Sequence, residues 1–293
     1  MGMGAAALSL TTESRAKEAF PVEDRYRLPT GPVSLPREPI TLYQYEVCPF
    51  CCKVKAFLDF HNIPYTVVEV NPLTKAELKW SDYKKVPVAV IDGVQYNDSS
   101  AIISRLAACF ERPAAAAAAR PAPGFFASLF GGAGEREAAP AAPAGDDEAK
   151  WRRWVDDRFV RVVTCNIYRS ASEAWQTFDY ITEHGNFGRV QRELARVVGA
   201  GMMWAISGKL RKKYAVDADV RSELYLDAAD WAGAVGDKTF HGGATPDLAD
   251  LAVFGVIRSI AGTDTFNDLM HNTKIGGWYE AMFKAVGDSS RIA

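Results

Sequence analysis

The spacing of hydrophobic and polar positions changes character along the chain. Between residues 40 and 112, short apolar runs alternate with helical spacings. Ile40 to Tyr45 is a compact apolar and aromatic run, the pattern of a buried strand. Val54, Phe57 and Leu58 then recur at helical spacing and predict a helix from Pro49 to about His61. Pro64 breaks that pattern, and Tyr65 to Val70, rich in β-branched residues, reads as a second strand. After the Asn71-Pro72 turn, Thr74 is placed to cap a short helix over 75–81, with Glu77 at capping-box spacing. Val86 to Ile91 and Val94 to Tyr96, joined by Asp92-Gly93, read as a hairpin. Asp98 or Ser99 then caps a helix from about Ser100 to Phe110. The predicted order is β-α-β-α-β-β-α.

From residue 146 onward the pattern is helical. Trp151, Trp154, Val155, Phe159, Val162 and Val163 form one stripe, and the interleaved Arg152, Arg153, Arg158 and Arg161 read as its solvated face. Further helices are predicted around Glu173, Trp175 and Phe178, over Val190 to Lys213 (Leu194, Val197, Val198, Met202, Ile206), and over Val220 to Val235. Thr245 as N-cap and Pro246 as first helical residue open a run that is almost wholly apolar to Ile260. A helix apolar on every side belongs inside a bundle. A last helix is predicted from about Thr273 to Val286. Residues 113–145, with Ala114 to Ala119 and several prolines, cannot bury a core and read as a linker or insertion. Their apolar island, Phe125 to Phe130, is either a loop tucked onto its own domain or a docking patch. Residues 1–39 hold five scattered prolines between Pro21 and Pro39 and no period, the mark of an extended surface arm. The organisation is thus an arm (1–39), an α/β unit (40–112), a linker (113–145) and an all-helical unit (146–293).

A chain of 293 residues, 48% hydrophobic, is long enough for two ordinary domains with proper cores. Its formal net charge of −2 gives no electrostatic case for a nucleic-acid partner. No apolar window approaches the roughly 18 residues of a membrane span, and no basic-then-apolar secretory leader is present. Five cysteines, three of them within 48–52, do not make a secreted disulfide framework, so a reducing intracellular compartment is expected.

Those cysteines are the candidate chemistry. Cys48-Pro49-Phe50-Cys51 falls between the first strand and the first helix. Pro49 suits the first helical position, which puts Cys48 at the N-cap. There the unpaired N–H groups and the helix dipole favour a thiolate. Cys51 is one turn on, within reach for a disulfide. A C-x-x-C in this context is the thioredoxin-type redox motif. A zinc half-site would need a second such pair, which the chain lacks, so no metal is expected. Val86-Pro87 precedes a strand. In a thioredoxin-like arrangement that proline is cis and the Val86 backbone faces a peptide-like ligand; a trans proline at a strand start is the ordinary alternative.

An α/β thioredoxin-like N-terminal domain followed by an all-α C-terminal domain resembles the soluble glutathione transferase architecture. The strings Leu42-Tyr43-Gln44-Tyr45, Cys48-Pro49-Phe50-Cys51, Val67 to Pro72, Lys85-Val86-Pro87, Asn97-Asp98-Ser99-Ser100 and Asn166-Ile167-Tyr168-Arg169 resemble, more narrowly, the membrane-associated prostaglandin E synthase type 2 family. The resemblance covers about 40–112 and 146–290. It departs from animal members in lacking a hydrophobic N-terminal segment and in the Ala/Pro-rich 113–145.

The resemblance implies isomerisation of prostaglandin H2 to prostaglandin E2, with Cys48 as the essential thiol, Cys51 as the second motif cysteine, and Tyr45 and Phe50 lining the pocket. It implies glutathione bound at Val86, Pro87, Asp98 and Ser99, and haem held through a glutathione thiolate. The four histidines form no C-x-x-C-H motif that would support haem independently. The chemistry of the ligand agrees: a γ-glutamyl carboxylate suits N–H groups near Ser99, its ammonium suits Asp98, and the cysteinyl amide can pair with Val86. A homodimer, peripheral membrane or complex association, and a mitochondrial or other organellar location are further expectations. Two other functions compete: a glutathione-dependent thiol–disulfide oxidoreductase of glutaredoxin type, and a non-enzymatic subunit of an organelle assembly that uses the arm and the Phe125 to Phe130 island.

Overall fold

The computed structural model describes residues 25–29, 33–110, 145–185, 188–216 and 219–292. The first domain runs β1 (Ile40–Gln44), α1 (Pro49–Phe60), β2 (Tyr65–Glu69), β3 (Val88–Ile91), β4 (Val94–Asn97) and α2 (Ser99–Ala107). Its sheet has the order β2-β1-β3-β4. β1 pairs parallel with β2 through the α1 crossover and antiparallel with β3, and β3 and β4 close the hairpin around Asp92-Gly93. Gly93 takes a positive φ of 81°, as a tight hairpin turn requires. This is the thioredoxin-like sheet expected from the sequence.

The helix expected over 75–81 is one 3-10 turn, Ala76–Leu78. Thr74 does not cap it. The side chain of Asn71 instead accepts from the N–H groups of Leu73 and Thr74, both at 3.0 Å, and the Glu77 carboxylate accepts from Asn71 N–H at 2.9 Å. These local side-chain bonds compete with helix formation and win.

The second domain opens with α3 (Asp146–Trp154), a π-helical turn at 155–159 and α4 (Val160–Ile167). α5 (Ala171–His184), α6 (Arg189–Leu194), a second π-helical turn at 195–199, α7 (Ala200–Tyr214) and α8 (Val220–Val235) follow. α9 (Leu248–Arg258), α10 (Asp264–Asn272) and α11 (Ile275–Val286) complete it. α9 is the buried central helix: every residue from Leu248 to Ile257 is buried. Its cap is Asp247 and not Thr245. The Asp247 carboxylate accepts from Ala249 and Asp250 N–H groups, and Asp250 accepts back from Asp247 N–H. A carboxylate serving two N–H groups at the positive helix end outcompetes a hydroxyl two residues earlier.

α1 and α9 form the main seam between the domains. Gly255 makes it possible, because a Cβ there would lie 2.5 Å from the Lys53 Cα and 2.8 Å from the Cys52 carbonyl oxygen. Two charged clusters flank this seam. At one, Lys53 pairs with Asp156 and donates to Ser100 Oγ at 3.1 Å. At the other, Arg258 reaches the buried Asp59 at 2.9 Å, and Tyr65 and Ser290 donate to the same carboxylate.

Two sequence expectations change here. Arg152 is not on a solvated face: it is buried, donating to the carbonyls of Tyr26 and Ser100 and to Ser104 Oγ. The arm, where described, is exposed at Arg27, Ser34, Leu35 and 37–39 but anchored at Tyr26, which is 3% exposed and whose hydroxyl donates to Asp156 at 3.1 Å. The linker, including the Phe125 to Phe130 island, lies outside the described residues except at its end. Among the described residues no helix is long and apolar enough to cross a membrane.

Candidate active site

Cys48 stands at the N-cap of α1, in extended conformation, with Pro49 as first helical residue. The apolar β1 delivers it and the proline starts the helix, so both signals read in the sequence act here. Four groups act to lower the Cys48 pKa. The Cys51 thiol hydrogen-bonds to it, burial opposes, and the N–H groups of Cys51 and Phe50 and the Lys55 ammonium add to the stabilisation of the thiolate. The net direction is down. Cys51 moves the opposite way: burial and its bond to Cys48 hold it well above an ordinary thiol. Cys52, whose thiol donates to the Glu46 carbonyl at 3.3 Å, is pushed up to about 11, chiefly by burial. One cysteine of three is thus prepared as a nucleophile.

Cys48 opens onto a solvent-connected cavity of about 220 Å³ between the domains. Tyr45, Cys48, Pro49 and Val70 line the near wall, and Val163, Ile167, Tyr168, Tyr180 and Ile260 the far wall. Tyr45 stays a phenol, because burial and the nearby thiols raise its pKa. At the rim Glu46 and Glu69 share Gln44, whose Nε2 donates to both. Burial works against Glu46, but the Lys55 ammonium holds its carboxyl below the usual range; burial raises that of Glu69.

The other expected residues gather on a different side of Cys48. The Val86–Pro87 bond is cis, and Val86 packs with Tyr43, Tyr45 and Tyr83 over Val70, Leu78 and Val88. Asp98 is the N-cap of α2, its Oδ1 accepting from Ser100 N–H at 2.9 Å and Ala101 N–H at 3.1 Å, and Ser99 is buried as the first helical residue. Tyr83 links the two groups: burial raises its pKa first, and the charges of Asp98, Cys48 and Cys51 all bear on its phenol. Phe50 is not among the residues that line the cavity. It supplies its N–H to Cys48, while its ring packs against the core below Lys53 Nζ.

Sequence reasoning missed Tyr83, Lys55, the Glu46–Glu69 rim and the far wall from α4 and α5. Only Glu69, Ile167 and Tyr168 carried a signal, through the strings they belong to. His61 packs against Phe57 and Phe110, His241 is held between Asp147 and Asp247, and no cluster of His, Cys, Asp and Glu fit for a metal ion occurs among the described residues.

A profile described as glutathione S-transferase, N-terminal domain, matches residues 42–114. The chain is 43% identical to Prostaglandin E synthase 2 of Danio rerio over 266 residues, covering 84% of this chain and 71% of that protein. It is 41% identical to Prostaglandin E synthase 2 of Mus musculus over 275 residues, 86% of this chain and 72% of that one. The crystal structure of beta-etherase LigF from Sphingobium sp. strain SYK-6 superposes with a TM-score of 0.50 at 16% identity, over 85% of this chain and 98% of that chain, a likeness of fold alone. With its thioredoxin-like sheet, its glutathione S-transferase N-terminal domain and relatives above 40% identity over most of both chains, the protein belongs to the prostaglandin E synthase 2 family.

Proposed function

We propose that the protein isomerises prostaglandin H2 to prostaglandin E2 with the Cys48 sulfur at the reacting endoperoxide and glutathione bound beside it. One observation carries this reading: the single activated thiol opens on one side to a mostly apolar cavity and lies on the other near the Val86 and Asp98 cleft. A lipid endoperoxide with two long hydrocarbon chains matches the first in polarity. The Val86 backbone, which makes no hydrogen bond among the described residues, and the Asp98 carboxylate match the amide and ammonium of glutathione. Bound there, glutathione supplies a second thiol beside Cys48.

The reaction is an internal redox exchange. The C9–H bond breaks and its electron pair forms the C9 carbonyl. The O–O bond gives its pair to the C11 oxygen, which takes up a proton. Cys48 ends as it began, and no atom is gained or lost. The Tyr45 phenol, protonated at neutral pH, is placed to donate to a substrate oxygen. Incubation of purified protein with prostaglandin H2 tests the reading. Wild type yields prostaglandin E2 above the buffer-only mixture, and Cys48→Ser removes that excess; a wild-type mixture identical to buffer would sink the proposal.

A second reading, thiol–disulfide exchange, draws support from the Cys51 bond to Cys48. There the Cys48 thiolate attacks a mixed disulfide, expels one thiol, and glutathione or Cys51 resolves the product. With a glutathionylated peptide as substrate, Cys48→Ser loses turnover and Cys51→Ser retains it. Turnover undiminished in Cys48→Ser excludes this chemistry.

A further inference from the structure

The N-terminal end of α2 is short of donors for an anion. Of its first four N–H groups, those of Ser100 and Ala101 bond the Asp98 side chain and that of Ile102 bonds the Asp98 carbonyl. Only Ser99 N–H makes no bond among the described residues. The γ-glutamyl head of glutathione carries an ammonium and a carboxylate on one carbon. Asp98 answers the ammonium through Oδ2, and the carboxylate needs a cation that the helix does not provide.

The arm brings one. Arg25 carbonyl accepts from Ser104 Oγ at 2.7 Å, Tyr26 carbonyl accepts from Arg152 Nη1 at 3.1 Å, and the Tyr26 hydroxyl donates to Asp156. The backbone at 25–26 is therefore fixed by α2 and by the first helices of the second domain. From that anchor the Arg25 guanidinium lies 4.8 Å over the Tyr26 ring, with Nη1 3.4 Å from Asp98 Oδ2 and Nη2 4.0 Å from Asp157 Oδ1. Both contacts are long for a charge-assisted bond, which closes to about 2.7–2.9 Å. Its Nε is buried with no partner among the described residues, and the side chain is 23% exposed. A cation and an anion side by side, each incompletely engaged and open to solvent, are the complement of an α-amino-acid zwitterion.

We infer that Arg25, carried on the N-terminal arm, binds the α-carboxylate of the γ-glutamyl group, so that the arm completes the ligand site. The inference rests on reading the Val86 and Asp98 cleft as a glutathione site. Arg25 and Asp98 then act as a pair: the guanidinium takes the carboxylate and Asp98 Oδ2 takes the ammonium.

Calorimetric titration of the full chain tests this with three ligands: reduced glutathione, 4-aminobutanoyl-Cys-Gly, which lacks the α-carboxylate, and glutaryl-Cys-Gly, which lacks the ammonium. Arg25→Gln weakens glutathione and the glutaryl peptide about ten-fold and leaves the aminobutanoyl peptide unchanged. Arg25→Lys recovers part of the loss, and thermal melts show both variants folded. Equal weakening of all three ligands would mean that the arm acts only by holding the fold, and tighter glutathione binding in Arg25→Gln would mean that Arg25 blocks Asp98; either overturns the inference. Absence of glutathione binding by wild type instead overturns the reading of the cleft itself.

Discussion

Two helical stretches of the second domain both carry apolar side chains at helical spacing and meet opposite fates. α9 is buried along its whole length up to Ile257. In the stretch 189–214, Leu194 is 57% exposed, Val197 58% and Met202 55%. The difference lies in what each can approach. α9 carries Gly255, which admits the backbone of α1, and its ends are tied by the Asp247–Asp250 box and by Arg258 on Asp59. The 189–214 stretch meets α5 and α4 with one side only, through contacts such as the Gly199 approach to Phe178. Helical spacing thus predicts a helix in both; the charge each carries, confined to Asp250 and Arg258 in α9 but repeated along 189–214, decides whether more than one side is buried. The prepared thiol sits on the rigid seam, because Cys52 and Lys53, the residues under Gly255, follow Cys48 within the same turn or the next.

The sharpest way to break that contrast is Gly255→Ala. The added methyl meets main-chain atoms of Cys52 and Lys53, which have no rotamer to escape into. We expect a loss of about 3 kcal/mol, at the upper end of overpacking costs, measured by urea denaturation. Reactivity of Cys48 toward iodoacetamide should fall too, since the shift displaces the turn that carries it. Ordinary stability in this variant would show the seam to be looser than described.

Arg258→Met comes next. It leaves Asp59, 1% exposed in its side chain, with only the donors from Tyr65, Ser289 and Ser290. Removing one partner of a buried pair costs about 3 kcal/mol. Replacing both, Arg258→Met with Asp59→Leu, should recover much of it. A double variant no better than the single one would mean that the C-terminal residues, which bond Tyr65 through Ser290 and Ile292, depend on Asp59 itself.

The same contrast explains what was legible in the sequence. The strand, the Cys48-Pro49 start and a cap at Asp98 or Ser99 were legible because each depends on neighbours within a few residues, and the cis proline because the thioredoxin-like arrangement of those distant signals calls for it. The burial of α9 was legible because an all-round apolar helix has one place to go. The cavity's far wall was not, since Val163, Tyr180 and Ile260 come from α4, α5 and the turn after α9. Nor was the burial of Arg152: an arginine in a charged run looks solvated, and only the folded arm shows that its partners are the carbonyls of Tyr26 and Ser100. Exposed Leu194 and Val198 misled for the converse reason, their spacing being that of a core stripe.

A smaller effect, visible only in acid, belongs to the far end of α1. His61 follows α1 with its ring stacked 4.2 Å from Phe110, and burial lowers its pKa to about 4. The folded state therefore resists protonation, while the unfolded chain takes up its proton near pH 6.5. His61 costs nothing above that pH and destabilises progressively as pH falls from 6.5 towards 4. His61→Phe should leave melting at pH 7.5 nearly unchanged and flatten its decline between pH 6.5 and 4.5. Parallel curves for the two proteins would place the ring in water.

The smallest effect should come from the exposed stretch. Val198→Lys and Met202→Lys each replace a side chain about half exposed, and neither opens a cavity nor strands a polar group. Such substitutions change stability by no more than about 0.5 kcal/mol. Measured at low and high protein concentration, the melts of wild type and variant should coincide. If instead the variants melt lower, and only at high concentration, then a second molecule covers this face in solution, and its apolar stripe would belong to an interface and not to solvent. That outcome would turn the contrast between the two helical stretches into a likeness, with α9 buried by its own chain and 189–214 buried by another.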